Sequence, residues 1–273
     1  MVNAIAQMSG TPVLIIGDMV ADVYLDGAIA RISREAPVLV LDQVEERVVA
    51  GGAANVVNNA ATLGGTAYAA GVCGTDTSGD ALLAVLAENA VRTEGFVRDA
   101  AHPTITKTRI IAGGRATVSQ QIVRVDREWH TALAHETEEE LLAQIRALLP
   151  RVRGVVLSDY GSGTVTAHVR RTVIDAARAA EIPSIVDSRY DILRYEGIGY
   201  VKQNDAELAA ALGRELRSEE DIHAAGRELR ERLGADGVLI TRGAQGMTLF
   251  LSDGSATNIP VSDHSEIFDV SGA

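Results

Sequence analysis

The chain has 273 residues, 47% of them hydrophobic and 23% charged, and a formal net charge of −12; this excludes a disordered or collagen-like chain, and a single cysteine, Cys73, excludes a disulfide scaffold and points to a reducing compartment. The acidic balance, with no basic run to follow a phosphate backbone, argues against a nucleic-acid partner. No apolar stretch reaches the roughly 18 residues of a membrane span, and the first basic residue is Arg31, so the expected setting is the cytoplasm, without a membrane partner.

Val13 to Ile16 is a short apolar run closing on Gly17 and Asp18, as a buried parallel strand would be when it delivers its carboxyl end to a site. Similar runs recur at Thr66 to Val72, Gly154 to Leu157, Ser184 to Val186, Gly199 to Val201 and Gly237 to Ile240. Helical patterns lie between most of them: Gly52 to Leu63 is rich in Ala and Asn, and Ser78 to Ala90 gathers Leu82, Leu83, Val85 and Leu86 on one side. Thr137 with Glu140 reads as a capping box opening a helix, and Ser218 with Asp221 reads the same way. This alternation predicts an α/β fold with a doubly wound, mostly parallel sheet and helices on both faces.

Two stretches, about 24–49 and 96–125, lack a helical period and read as strands, the second turning at Gly113-Gly114. They are assigned to a small antiparallel β lid beside the sheet, whose open face covers a ligand or meets a second subunit. Nothing in between reads as a linker, so residues 1–273 are expected to form one domain.

Absent motifs prune the chemistry. No phosphate loop of the G-x-x-x-x-G-K-[ST] type occurs, the only lysines being Lys107 and Lys202, and no G-x-G-x-x-G follows the first strand. The six histidines form no H-E-x-x-H, and His130 and His135 read as loop residues facing solvent.

The residues that remain are small and polar groups at the carboxyl ends of strands, where open α/β sheets bind ligands. Asp18 and Asp22 are spaced to accept hydrogen bonds from a polyol, or else to cap a turn. Gly51-Gly52-Ala53-Ala54-Asn55 lets a ligand approach the backbone and offers an amide, or else packs a helix tightly on the sheet. Asp159 and Asp187 each follow an apolar strand. Asn204 and Glu207, three apart, present an amide and a carboxylate that suit a hydrated magnesium ion, or else cap their own helix. Thr241-Arg242-Gly243-Ala244-Gln245-Gly246 is a turn open to phosphate or ribose, or a plain hairpin. Asp269-Val270-Ser271-Gly272-Ala273 reads as the start of an anion-binding backbone nest.

Together these segments resemble the ribokinase-like (PfkB) sugar kinases over practically the whole chain. The carrying motifs are Gly17-Asp18 with Asp22, GGAANVVNNAATLGG, the N-x-x-E pair, TRGAQG and the terminal DVSGA, which is similar to the start of the family's D-[TS]-G-A-G-D signature. Arg31 to Val38, His102 to Arg109 and Val156 to Gly163 resemble the members that phosphorylate D-glycero-β-D-manno-heptose 7-phosphate at C1.

The resemblance implies an ATP- and magnesium-dependent sugar kinase, often paired as a homodimer through its lid. Asp18, Asp22, Gly51, Gly52, Asn55 and Asp159 would bind sugar, and Lys107, Arg109, Arg124 and Arg189, with Arg31 or Arg34, would meet a sugar phosphate, or else the lid arginines are solvated or pair with its acids, such as Asp126. Asn204, Glu207, Thr241, Gly243, Gly246 and Asp269 would bind the nucleotide, Glu207 reaching magnesium through water. Ser271, Gly272 and Ala273 would form part of the anion hole. The family's catalytic aspartate would fall two positions beyond Ala273, so this stretch of chain is expected to be inactive by itself. Asp187-Ser188-Arg189 stands where the heptose kinases have Asp-Pro-Lys, and Gln203 replaces the usual proline before Asn204. The alternatives are a kinase of another sugar on the same fold and a non-catalytic binding protein.

Overall fold

The computed structural model describes residues 8–114, 117–129 and 131–261. Its centre is a nine-stranded sheet in the order β13-β12-β11-β10-β9-β8-β1-β4-β5. The strands are β1 (Pro12–Gly17), β4 (Thr66–Gly74), β5 (Arg92–Asp99), β8 (Val155–Asp159), β9 (Ser184–Ser188), β10 (Tyr200–Asn204), β11 (Gly237–Thr241), β12 (Met247–Leu251) and β13 (Ala256–Ile259). All neighbours from β5 to β11 pair parallel, and β12 and β13 complete one edge as an antiparallel meander.

β1 lies between β4 and β8, and Leu14, Ile15 and Ile16 are fully buried, as an uninterrupted apolar run on a sheet covered on both faces should be. Helices α1 (Ala53–Thr62) and α2 (Thr77–Glu88) cover one face with Val57, Leu82 and Leu86. On the other face lie α3 (His135–Leu148), α4 (Ala167–Ala179), α5 (Asp205–Leu212) and α6 (Glu219–Leu233), burying Leu141, Val169, Leu208 and Leu229 among others. The expected doubly wound α/β architecture is present.

Ser218 and Asp221 form the expected reciprocal capping box of α6. Thr137 does not cap α3. That helix starts two residues earlier, at His135, which is therefore helical and not in a loop, and the Thr137 hydroxyl donates to Asp99 at 3.0 Å. A buried carboxylate from β5 takes the hydroxyl that local spacing had assigned to a cap.

The second sheet has the order β3-β2-β6-β7, from β2 (Met19–Ile32), β3 (Leu39–Gly52), β6 (Ile105–Gly114) and β7 (Thr117–Arg127). It corrects the expected lid in two respects. β2 and β6 run parallel, because the chain returns through α1, β4, α2 and β5 before entering β6, so the lid is mixed and not antiparallel. Its strands span 19–52 and 105–127, and Phe96 to Asp99 belong to β5 of the main sheet. Register then decides which side chains share a face: Asp22 faces Lys107, Tyr24 faces Arg109, and Arg109 faces Arg124. With a side-chain period of two, these groups line one side of the lid.

Asp76 fastens the lid to the main sheet. Its Oδ1 accepts the Gly79 amide at 3.0 Å, which caps α2, and the Thr104 hydroxyl at 2.5 Å. Its Oδ2 accepts the Thr104 amide at 3.1 Å and Arg127 Nη2 at 2.9 Å, so one carboxylate holds the start of β6 and the end of β7. Burial works to raise its pKa, but the bonds from Thr104, Gly79 and Arg127 outweigh that and hold it below the ordinary 3.8. A depressed carboxylate stabilises the fold above its unfolded pKa and loses that contribution as pH falls through its folded pKa. Asp76→Asn is expected to cost about 1–2 kcal/mol at neutral pH and to flatten the fall in melting temperature below about pH 4. Parallel melting curves of wild type and variant across that acid range would show that Asp76 carries no such load.

Candidate active site

The site begins at the end of β1, where the chain leaves the main sheet for the lid. A Cβ on Gly17 would overlap the Ser158 carbonyl of β8, so only glycine lets β1 pass this close. Asp18, fully buried, then ties three segments together. Its amide donates to the Ser158 carbonyl at 3.2 Å, and its carbonyl accepts the amide of Ala53, the first residue of α1, at 2.9 Å. Its carboxylate accepts the amides of Tyr160 at 2.8 Å, Ser162 at 3.1 Å and Thr164 at 3.1 Å. Burial pushes the Asp18 carboxyl above its ordinary value, with the nearby Asp159 adding to the effect and the loop amides opposing it.

Asp18, expected to meet sugar hydroxyls, therefore faces protein on every side: its oxygens are spent shaping the loop after β8. Asp159 is held likewise. Its carboxylate accepts Gly161 N at 2.9 Å, Ser188 Oγ at 2.9 Å and the Tyr195 hydroxyl at 2.6 Å, all from protein.

Asp22, four residues along β2, points into a cleft of about 720 Å³ between the lid and the carboxyl edge of the main sheet. Gly51 and Gly52 form its floor, and their lack of side chains has separate causes. A Cβ on Gly51 would sit 2.6 Å from Asp22 Oδ2, so the carboxylate rests directly over that backbone. Gly52 has φ of 55°, and a Cβ there would come within 2.6 Å of the Asp18 carbonyl. Asn55, on the first turn of α1, lines the adjoining wall.

The opposite wall is cationic. Lys107, Arg109, Arg124 and Arg189 all line the cleft. Arg109 Nη1 stands 2.8 Å from Asp22 Oδ1 and its guanidinium lies over the Tyr24 ring, 5.3 Å from the centroid. Lys107 pairs with Glu128 at 3.2 Å, and Arg124 makes a two-point pair with Asp126 at 2.8 and 2.9 Å. Arg189, just beyond β9, has no acidic partner among the described residues. Arg31 and Arg34 are exposed near the turn between β2 and β3 and do not line this cleft.

A second group sits farther along the same edge. Asn204 Oδ1 accepts the Glu207 amide at 2.7 Å, and Glu207 Oε2 accepts the Asn204 amide at 2.8 Å, a reciprocal capping box on α5. The Thr241 hydroxyl donates to the Gln203 carbonyl at 3.4 Å. Gly243 and Gly246, both with positive φ, shape the hairpin between β11 and β12, and a Cβ on Gly243 would meet open space. With neighbouring strands about 4.8 Å apart, β10 lies about 14 Å from β1 along the edge, and Arg189 falls between the two groups.

Magnesium would find one open carboxylate oxygen here, Glu207 Oε1. No cluster of three or more His, Cys, Asp or Glu groups able to hold a metal exists among the described residues. The donor set does not chelate the ion directly, but it fits a hydrated ion arriving on phosphates, held through water. Asp269, Ser271, Gly272 and Ala273 lie outside the described residues, as does His130.

Tyr24, Asn58, Asn89 and Tyr160 also line the cleft and were not singled out from the sequence. Tyr24 is two residues from Asp22 on one strand and Asn58 is three from Asn55 on one helix, so period alone places each beside a recognised neighbour.

The pfkB family carbohydrate kinase model matches residues 11–273. The bifunctional protein HldE of Azorhizobium caulinodans is 39% identical over 271 residues, covering 98% of this chain and 55% of that protein. HldE of Pelobacter propionicus is 40% identical over 261 residues, covering 95% and 52%. The chain thus spans about half the length of these relatives. Among solved structures, phosphofructokinase-2 from Escherichia coli with substrates and products superposes with a TM-score of 0.72 at 21% identity, covering 95% of this chain and 81% of that one. Arabidopsis thaliana ribokinase with ribose and ATP gives 0.68 at 18%, with the same coverage. Both structures share the fold.

Proposed function

Because the chain belongs to the pfkB family of carbohydrate kinases, we propose that it serves ATP-dependent phosphorylation of D-glycero-β-D-manno-heptose 7-phosphate at the C1 hydroxyl, giving the 1,7-bisphosphate. The observation that carries this reading is the charge of the cleft: four cationic side chains converge on a space whose floor holds Asp22 and a glycine pair. A free sugar needs hydroxyl acceptors and amides. A sugar that already carries a phosphate also needs cations, which bind it by charge-assisted hydrogen bonds. The relatives named HldE support the heptose assignment.

In this reading Asp22, Asn55 and the Gly51-Gly52 backbone hold the sugar. Lys107, Arg109 and Arg124 on the lid receive the phosphate it brings. Asn204, Glu207, Thr241, Gly243 and Gly246 flank the nucleotide. Magnesium, when bound on the phosphates, neutralises charge that builds during transfer. Arg189, between the two groups and without an acidic partner among the described residues, supplies fixed positive charge where sugar and nucleotide meet. Phosphoryl transfer depends chiefly on such positioning and charge neutralisation. The buried free thiol of Cys73 and the need for ATP suit the cytoplasm.

The test is turnover of the full-length protein with ATP, magnesium and a panel of sugar phosphates, the product identified by ³¹P NMR. The expected result is phosphorylation of the heptose 7-phosphate in preference to six-carbon sugar phosphates. Arg189→Ala is expected to lower kcat/KM about 10- to 100-fold, from the loss of charge-assisted hydrogen bonds. No turnover with any member of the panel would overturn the assignment.

We also propose that the lid pairs two copies of the chain. The lid strands and the turn between β2 and β3 expose Ile32 at 67%, Val44 at 72% and Val125 at 54%, together with Val38 and Val123. Apolar side chains gathered on one small sheet mark an interaction surface. Sedimentation is expected to give a dimer for wild type and a monomer for Val44→Lys combined with Val125→Lys. A monomeric wild type would end this proposal.

A further inference from the structure

Among the described residues, four buried side-chain atoms lack a hydrogen-bond partner: Asp22 Oδ1, Asn58 Oδ1, Thr164 Oγ1 and Arg242 Nε. Two of the four, both acceptors, belong to residues lining the same cleft. Asp22 Oδ1 is ion-paired with Arg109. Asn58 Oδ1 has no such compensation. Buried carbonyl oxygens in folded proteins are almost always bonded, so an orphan on the wall of a ligand cleft needs an explanation.

Helix α1 explains why this side chain stands where it does. Ala53, Ala54 and Val57 are its buried positions against the sheet. Asn55 and Asn58, three residues and about 4.5 Å apart along the axis, share a different face, the one turned to the cleft. Within the helix the Thr62 hydroxyl donates to the Asn58 backbone carbonyl at 2.9 Å, a bond that does not use the Asn58 side chain. On the neighbouring wall Asn89, whose Nδ2 donates to the Val85 carbonyl at 3.1 Å, adds a third amide. The cleft therefore has a wall of amides from α1 and the end of α2, facing a wall of cations from the lid. Amides supply the acceptors and donors that hydroxyls require, whereas the cations supply none of the acceptors.

We infer that Asn58 is a specificity-determining residue: a bound sugar draws its amide round about the Cβ–Cγ bond, so that Oδ1, occluded in the free protein, accepts a hydrogen bond from a hydroxyl beyond those held by Asp22 and Asn55. The inference rests on the reading of the cleft as a sugar-phosphate site and extends it: the site reads the substrate's carbon chain at one more position along α1. A substrate lacking that hydroxyl leaves the oxygen buried and unpaired, which is how a polar pocket rejects the deoxy or shorter analogue.

Asn58→Leu separates this role from a structural one, because the two predict opposite signs. The substitution keeps the size of the side chain and removes an unsatisfied buried acceptor. The melting temperature of the free protein should therefore hold or rise, while the Kd for the heptose 7-phosphate weakens about 5- to 30-fold and that for ATP with magnesium stays unchanged. Among monodeoxy analogues, one should bind wild type and Asn58→Leu equally, identifying the partner hydroxyl. Unchanged sugar affinity in the variant would overturn the inference, as would a lowered melting temperature, which would assign Asn58 to the fold. Failure of the wild-type protein to bind any sugar phosphate would instead remove the reading of the cleft itself.

Discussion

The site depends on the single buried carboxylate of Asp18. Through its backbone it joins the end of β1 to β8 and to the first turn of α1, and through its side chain it gathers three amides of the loop after β8. Each element that meets at Asp18 carries one wall of the cleft: β2 presents Asp22, α1 presents Asn55 and Asn58, and the loop presents Tyr160. An acid there is not interchangeable with its amide. An asparagine offers one acceptor oxygen and would turn an N–H against one of the three donors, leaving it buried and unpaired. Gly17 completes the constraint, because β1 and β8 approach too closely at that point for any side chain.

The lid reaches this centre through different fastenings. Asp76 grips both the entry and the exit of the β6 and β7 pair, while Asp99 bonds His102 Nδ1 at 2.8 Å and the Thr137 hydroxyl at 3.0 Å, and His102 Nε2 meets the Thr131 hydroxyl at 3.0 Å. These contacts bind the crossings between the sheets and leave the cationic face of the lid directed at the cleft. Most of those cations are already balanced by acids, so a bound phosphate would draw Arg124 and Lys107 partly away from Asp126 and Glu128. In the proposed reading, affinity there is a difference between two sets of ion pairs, which favours discrimination over raw strength.

The parallel sheet was legible because its strands are bounded apolar runs, whereas the glycine pair suited both a ligand floor and close packing, and the structure packs it directly against Asp22 and the Asp18 carbonyl. Pairing direction in the lid was not legible. An antiparallel lid was expected because neither stretch joins a parallel sheet through a short connection, whereas β6 comes back beside β2 only after three strands and two helices have intervened. The roles of Asp18 and Asp22 were also mixed. Spacing brings both carboxylates to one strand end, but only the packing of the loop after β8 decides which one turns inward. Asn204 and Glu207 show a related ambiguity, since the same atoms that cap α5 present one free carboxylate oxygen at the sheet edge. Helical period sets Asn58 beside Asn55, but only the structure shows that its oxygen is left without a partner.

The central claim is that the cleft between lid and sheet recognises a sugar through a phosphate it already carries. Calorimetric titration of the full-length protein with D-glycero-D-manno-heptose and, separately, with its 7-phosphate tests this most directly. The account predicts that the phosphorylated sugar binds at least about 10-fold more tightly, as charge-assisted hydrogen bonds to the lid cations require. Equal affinities for the two sugars would contradict it.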